Sequence, residues 1–159
     1  MPRKKKVHKS KENCKYLDPL YHDPIVSLFI NRIMVDGKKS IAERICYNSF
    51  SIVKKSTNNK PVNVFHLAIE NIKPSLELKS LRVGKSTYQV PFPIHERRQI
   101  FFAIKWLVDL SQKKKNRSIE ENLSEEIINA SQNRGPCVEQ KQRLHKMAEA
   151  NRAYLRYRW

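Results

Sequence analysis

Acidic residues are sparse in this chain of 159 residues: 15 Asp and Glu stand against 32 Lys and Arg, for a formal net charge of +17. A small domain is soluble at a magnitude of roughly 2–8, so the excess points to an anionic partner, either nucleic acid or a membrane surface. Glycine is sparser still, with only Gly37, Gly84 and Gly135. So few permissive backbone positions argue against glycine-rich nucleotide-binding folds and barrels with many tight turns. The three cysteines, Cys14, Cys46 and Cys137, are odd in number and widely separated. That spacing argues against a secreted disulfide framework and a zinc site, and it fits a reducing compartment. Cys46 reads as a small buried hydrophobe and Cys14 as an exposed thiol. No apolar run approaches the roughly 18 residues of a membrane span. No apolar centre follows the basic start, so residues 1–15 do not read as a secretory signal.

What is abundant is basic charge, and it is unevenly placed. Residues 1–15 carry +6, residues 79–117 carry +8 and residues 141–159 carry +5, while the remaining 86 residues sum to −2. A uniformly solvated basic surface would not divide in this way. The pattern describes three binding segments on a nearly neutral body. With 40% hydrophobic residues, that body has enough apolar material for one domain.

Residues 1–22 lack periodicity and read as a basic arm ordered by its partner, leaving 23–159 as a single helical domain. Asp23-Pro24 supplies an N-cap and a first-turn proline, followed by Ile25, Leu28, Phe29 and Ile33 at helical spacing, with Gly37 ending the helix. A second helix over residues 38–55 carries Ile41, Ile45, Ser49, Ile52 and Val53. Pro61 opens a third, with Phe65, Ala68, Ile69 and Ile72, and Pro74 closes it. Residues 76–90 alternate with period two. Glu77, Lys79, Leu81 and Val83 face one way, and Gly84-Lys85 forms a two-residue turn with glycine first. Pro91 and Pro93 end the pairing. A long helix over residues 95–113 carries Ile100, Phe101, Ile104, Leu107 and Val108. Ser118 with Glu121 forms a capping box for a helix containing Ile119, Leu123, Ile127 and Ala130, which Gly135 stops. Pro136 starts the last helix, with Val138, Leu144, Met147 and Ala148. The fold class is mainly α: a bundle of about six helices with one protruding β-hairpin between the third and fourth.

Catalytic and metal motifs fare poorly. Gly84-Lys85-Ser86-Thr87 resembles the end of a phosphate-binding loop, but position 79 is lysine where glycine is needed, and a strand follows instead of a helix. His8, His22, His66, His95 and His145 have no metal-ligand spacing; His66 reads as a satisfied structural residue. Glu120, Glu121, Glu125 and Glu126 sit near a helix start, where acids are stabilised without any catalytic role. The end of the chain is different. Arg152, Tyr154, Arg156, Tyr157, Arg158 and Trp159 interleave guanidinium forks, which suit phosphate, with rings able to stack on unpaired bases. The competing reading is that Tyr154 and Trp159 pack the helix end onto the core.

Four stretches resemble a known family. They are Asn31-Arg32-Ile33-Met34-Val35-Asp36-Gly37-Lys38-Lys39-Ser40, Arg82-Val83-Gly84-Lys85-Ser86-Thr87-Tyr88-Gln89-Val90-Pro91, Ala103-Ile104-Lys105-Trp106-Leu107-Val108, and His145-Lys146-Met147-Ala148-Glu149-Ala150-Asn151-Arg152-Ala153-Tyr154 with Tyr157-Arg158-Trp159. In order and along nearly the whole chain, they are similar to small-subunit ribosomal protein seven. The usual family turn has a second glycine where this chain has Lys85. Pro93-Ile94-His95-Glu96-Arg97-Arg98 and the arm match the family only loosely.

The resemblance implies a structural protein, neither an enzyme nor a cofactor binder. It implies a primary binder of small-subunit rRNA that nucleates assembly of the subunit head. Neighbouring head and platform proteins are implied partners, with exit-site tRNA and the mRNA path nearby. The candidate RNA-binding residues are Arg3, Lys4, Lys5, Lys6 and Lys9 in the arm, read from its charge alone, and Lys38 and Lys39 at the second helix. Lys79, Arg82, Lys85, Arg97 and Arg98 follow around the hairpin, and Arg143, His145, Lys146, Asn151, Arg152, Arg156 and Arg158 at the end of the chain. Tyr154, Tyr157 and Trp159 are the stacking candidates. The main alternative is a free helical DNA-binding protein with its last helix in a major groove. A membrane-surface protein is weaker, since the basic segments lack a clean apolar face. Abundant Asn and Ile, with Lys exceeding Arg, fit an AT-rich genome. The expected setting is an organelle-encoded ribosome of plastid or mitochondrion without an added transit peptide, with the bacterial cytoplasm as the alternative.

Overall fold

The computed structural model describes residues 17–115 and 117–158. Its elements are α1 (Pro24–Ile33), α2 (Lys39–Thr57), α3 (Pro61–Ile72), β1 (Leu76–Val83), β2 (Ser86–Pro93), α4 (Glu96–Lys113), α5 (Ile119–Ser131) and α6 (Pro136–Ala150), then a 3₁₀ helix (Arg152–Tyr157). Six α-helices with one antiparallel hairpin between α3 and α4 match the expected architecture. Asp23 opens α1 as its sequence predicts: one carboxylate oxygen accepts the N–H groups of Ile25 at 2.7 Å and Val26 at 3.3 Å. The other oxygen meets His66 Nε2, so the same side chain ties α1 to α3 and gives His66 its structural role. Ser118 caps α5 by accepting the Glu121 N–H at 3.3 Å.

The core lies among α1 to α5, with α5 packed against α2, α3 and α4. Phe29, Phe50 and Phe65 form its aromatic centre, with ring centroids 5.0–6.4 Å apart. The buried stripes are displaced from the expected ones. On α1, Val26, Phe29, Ile30 and Ile33 face inward, and Leu28 is half-exposed. On α2, Ala42, Cys46, Ser49, Phe50 and Val53 are buried, and Ile41 is exposed. Phe101 on α4 and Met147 on α6 are likewise exposed. Hydrophobicity ranks these large residues above alanine, cysteine and serine. Close helix contacts select small residues instead, because interaxial distance depends on the side chains at the crossing. Burial pushes the Cys46 thiol above its ordinary pKa, in keeping with its reading as a hydrophobe.

Two helix ends differ from expectation. α1 stops before Gly37; Asp36 (φ +53°) and Gly37 (φ +72°) form the turn into α2, closed by Lys38 N–H to Val35 O at 3.1 Å. α5 is stopped not by Gly135 but by Asn133, which takes the left-handed conformation at φ +58°. Asn133 donates to Ala130 O at 3.0 Å and Arg134 to Asn129 O at 2.9 Å, the two bonds of a Schellman cap. Gly135 instead precedes Pro136 as the N-cap of α6.

The hairpin pairs Val83 with Ser86 around Gly84-Lys85. Gly84 has φ +62° and Lys85 is not among the positive-φ residues, so the turn needs glycine only at its first position and tolerates Lys85. Pairing continues past Val90 to Leu76↔Pro93, beyond the expected end. Pairs alternate between hydrogen-bonded and not, starting from bonded Val83 and Ser86. That alternation puts Pro91 and Pro93 at non-bonded positions, where no N–H is required.

One of the α5 acids read as stabilised near a helix start has a further structural role. Glu126 is fully buried, with Lys114 Nζ 2.7 Å from Oε1 and Cys137 Sγ donating to Oε2 at 3.5 Å. It joins the end of α4 to the start of α6. Asn122 reinforces the α4–α5 connection by donating to Ser111 O and Lys114 O.

Candidate nucleic-acid interface

Strand alternation puts Glu77 and Lys79 on one face of β1, and the foot of the hairpin is organised around that glutamate. Glu77 is buried and accepts Arg98 Nε at 2.6 Å, with Lys79 Nζ at 3.2 Å from its other oxygen. Arg98 is thereby held against the hairpin with its remaining guanidinium donors outward, stacked over Phe102 at 5.1 Å. Lys79 and Arg158 both lie over the Phe92 ring, at 4.9 and 5.5 Å. Three expected contact residues from three distant parts of the chain therefore converge at one place. At about 3.3 Å per residue, β1 carries Arg82 roughly 10–17 Å beyond Lys79 and Glu77, and Lys85 follows in the turn; both are exposed.

The end of the chain folds back on the hairpin. Tyr88 of β2 packs against Tyr154 and Tyr157, with centroids at 4.9 and 5.3 Å. Tyr154 is thus held on the hairpin, not on the helical core. This sets exposed Arg152, Arg156 and Arg158 beside β2. Lys141 Nζ donates to Asn71 O at 2.8 Å, fixing α6 to α3. Asn151 spends one amide hydrogen on Met147 O at 2.8 Å, closing α6. Arg143 is exposed and pairs with Glu139 at 3.4 Å, a surface contact of little energetic weight. Lys146 is exposed without an acidic partner among the described residues.

His145 faces the hairpin. Its Nε2 accepts the Ser75 N–H at 3.2 Å, so the ring works in its neutral form. Burial first, and then the Lys141 charge, hold its pKa below the ordinary 6.5. The unfolded chain therefore takes up the proton before the folded one does. The stability this residue contributes is full above pH 6.5 and falls as pH drops from there towards the lowered folded value. We expect His145→Gln to flatten that part of a melting-temperature-against-pH curve; an unchanged curve would assign the acid sensitivity to another group.

Lys38 and Lys39 are exposed at the start of α2, away from the hairpin, and Lys39 pairs with Glu43 at 3.7 Å. Arg97 is exposed in the first turn of α4. Arg3, Lys4, Lys5, Lys6, Lys9, Cys14 and Trp159 lie outside the described residues. Gly84-Lys85-Ser86-Thr87 is a hairpin tip, with no helix after it. Among the described residues no group of three or more His, Cys, Asp or Glu could hold a metal ion, and no helix is long and apolar enough to cross a membrane. Sequence reading missed Glu77, Tyr88 and Phe92 as organisers. Only Glu77 left a signal, its alternation with Lys79.

The family model described as ribosomal protein S7p/S5e matches residues 2–152. The small ribosomal subunit protein uS7 of Petrotoga mobilis is 49% identical over 142 residues, covering 89% of this chain and 92% of that protein. The protein uS7m of Reclinomonas americana is 44% identical over 159 residues, covering 100% and 99%. The uS7 of Thermotoga maritima is 46% identical over 142 residues, covering 89% and 92%. With a family match over almost the whole length and relatives well above 40% identity, this chain belongs to the ribosomal protein S7p/S5e family.

Proposed function

We propose that this chain is a structural constituent of the small ribosomal subunit, neither an enzyme nor a cofactor binder, and that it binds small-subunit rRNA directly. In this role it nucleates folding of the subunit head, beside head and platform proteins, the exit-site tRNA and the mRNA path. The observation that carries the reading is the convergence of Lys79, Arg98 and Arg158 at the hairpin foot, with Arg82 and Lys85 extended beyond it. Such an arrangement suits RNA read by shape and backbone, because the A-form major groove is closed to side chains. The arm residues, together with Lys38, Lys39, Arg97, Arg143, Lys146, Arg152 and Arg156, add phosphate contacts by replacing counterions. A free DNA-binding module fits less well, since α6 is packed along β1 and α4 and its extension is folded onto β2. For origin, a full-length uS7m relative and bacterial relatives of similar identity are both compatible; the AT-leaning composition favours an organellar gene.

Neutralising the hairpin tests this role. Arg82→Gln should reduce the salt slope of rRNA binding by about 0.7–0.9 and weaken affinity several-fold. Lys79→Gln should do less, because Lys79 already shares Glu77 with Arg98. Unchanged affinity together with unchanged incorporation into subunits would remove the hairpin from the contact surface.

A further inference from the structure

Two large apolar side chains assigned to the core by periodicity are in fact half-exposed: Leu28 on α1 and Phe101 on α4, each at 52%. They line one groove of about 650 Å³. Its walls are the matching helical stripes that hold Leu28, Asn31 and Arg32 on α1 and Arg97, Phe101 and Ile104 on α4. Among the described residues no carboxylate lines it. Arg32 is engaged by Asp109 at 2.7 Å. Arg97 is exposed and has no acidic partner among the described residues. Asn31 is exposed too, with an amide that both donates and accepts.

A free guanidinium, a free amide and an apolar wall with an exposed aromatic ring match the parts of one unpaired nucleotide. The guanidinium takes the phosphate, the ring takes the base face, and the amide takes the base edge. The groove also lies between two basic features. At one end Arg98, next to Arg97, is bonded to Glu77 at the hairpin foot. At the other, α1 runs through Arg32 into the turn that presents Lys38 and Lys39. The groove thus offers a direct path for an RNA strand between the hairpin foot and the start of α2. An acidic peptide could use Arg97 but would leave the flat aromatic wall without a matching surface.

We propose that the groove between α1 and α4 holds one unpaired nucleobase of the bound rRNA, stacked on Phe101, with its phosphate on Arg97. This rests on the rRNA-binding reading above. The test uses the full chain with small-subunit rRNA, followed by filter binding over a salt series and ultraviolet cross-linking. Phe101→Ala should weaken binding about 5- to 150-fold, the worth of roughly 1–3 kcal/mol for one stacked base. It should leave the salt slope unchanged, since stacking releases no counterion. Phe101→Trp should retain affinity, and Arg97→Gln should lower the slope by about 0.7–0.9. Cross-linking should attach a nucleotide at Phe101.

Wild-type affinity for Phe101→Ala, with cross-links on the hairpin and none on α4, would overturn the inference and leave rRNA binding standing. Unchanged rRNA affinity with loss of a neighbouring ribosomal protein from the reconstituted particle would also overturn it, in favour of an acidic peptide occupant. Failure of the unaltered chain to bind rRNA would overturn both.

Discussion

Phe50→Ala is expected to cost about 3–5 kcal/mol of stability, enough to lower the melting temperature by about 6–20 °C. Phe50 has no exposed surface and sits where α1, α2 and α3 meet. Its ring contacts Phe65 and Tyr21 at 5.4 Å each and Phe29 at 6.4 Å. Truncation removes the transfer free energy of the ring and leaves a cavity among three other rings that rigid helices cannot close. Ile41→Ala is the natural comparison. Sequence periodicity puts Ile41 on the inward stripe with Ile45, Ser49, Ile52 and Val53, yet it is 43% exposed, and its truncation should cost only about 1 kcal/mol. Thermal melts of the two variants decide which stripe of α2 faces the core. Equal losses would mean that Ile41 is as buried as Phe50.

That comparison marks where sequence reading succeeds in this fold. Local chemistry was legible because it depends on neighbours in the chain. Asp23 with Pro24, Ser118 with Glu121, and Gly84 at a two-residue turn each act where their spacing predicts. Facing was less legible. A helix stripe is wide, and the choice between Ile41 and Ala42, or between Phe101 and Ala103, is made by the helix on the other side. The interface divides in the same way. The basic segments could be counted from the chain, but their assembly depends on partners far apart in sequence. Glu77 reaches Arg98 across 21 residues, and Tyr88 reaches Tyr154 and Tyr157 at the end of the chain. His145 shows the consequence: its sequence position invites a phosphate contact, while its ring is engaged by Ser75. Asn151 is similar, with one amide hydrogen given to the end of α6.

The largest expected effect is on binding. Among the proposed contact residues, Lys38, Arg82, Lys85, Arg97, Lys146, Arg152, Arg156 and Arg158 have no acidic partner within the described residues, while Lys39, Lys79, Arg98 and Arg143 are paired. Unpaired cations release bound counterions from RNA at no internal cost, and the paired ones contribute less. A protein that neutralises about 6–10 phosphates loses roughly 10³–10⁵ in affinity between 50 and 200 mM salt. The arrangement of charge here puts this chain in that range, and preference for folded RNA should persist while absolute affinity falls.

The decisive measurement of whether these basic segments grip folded small-subunit rRNA is the affinity of the full chain for rRNA of the small-subunit head across that salt range, with duplex DNA of equal length as competitor. Log affinity should fall steeply and linearly with log salt, and the duplex should compete only weakly. A flat salt response, or duplex DNA competing as well as the rRNA, would contradict such a grip.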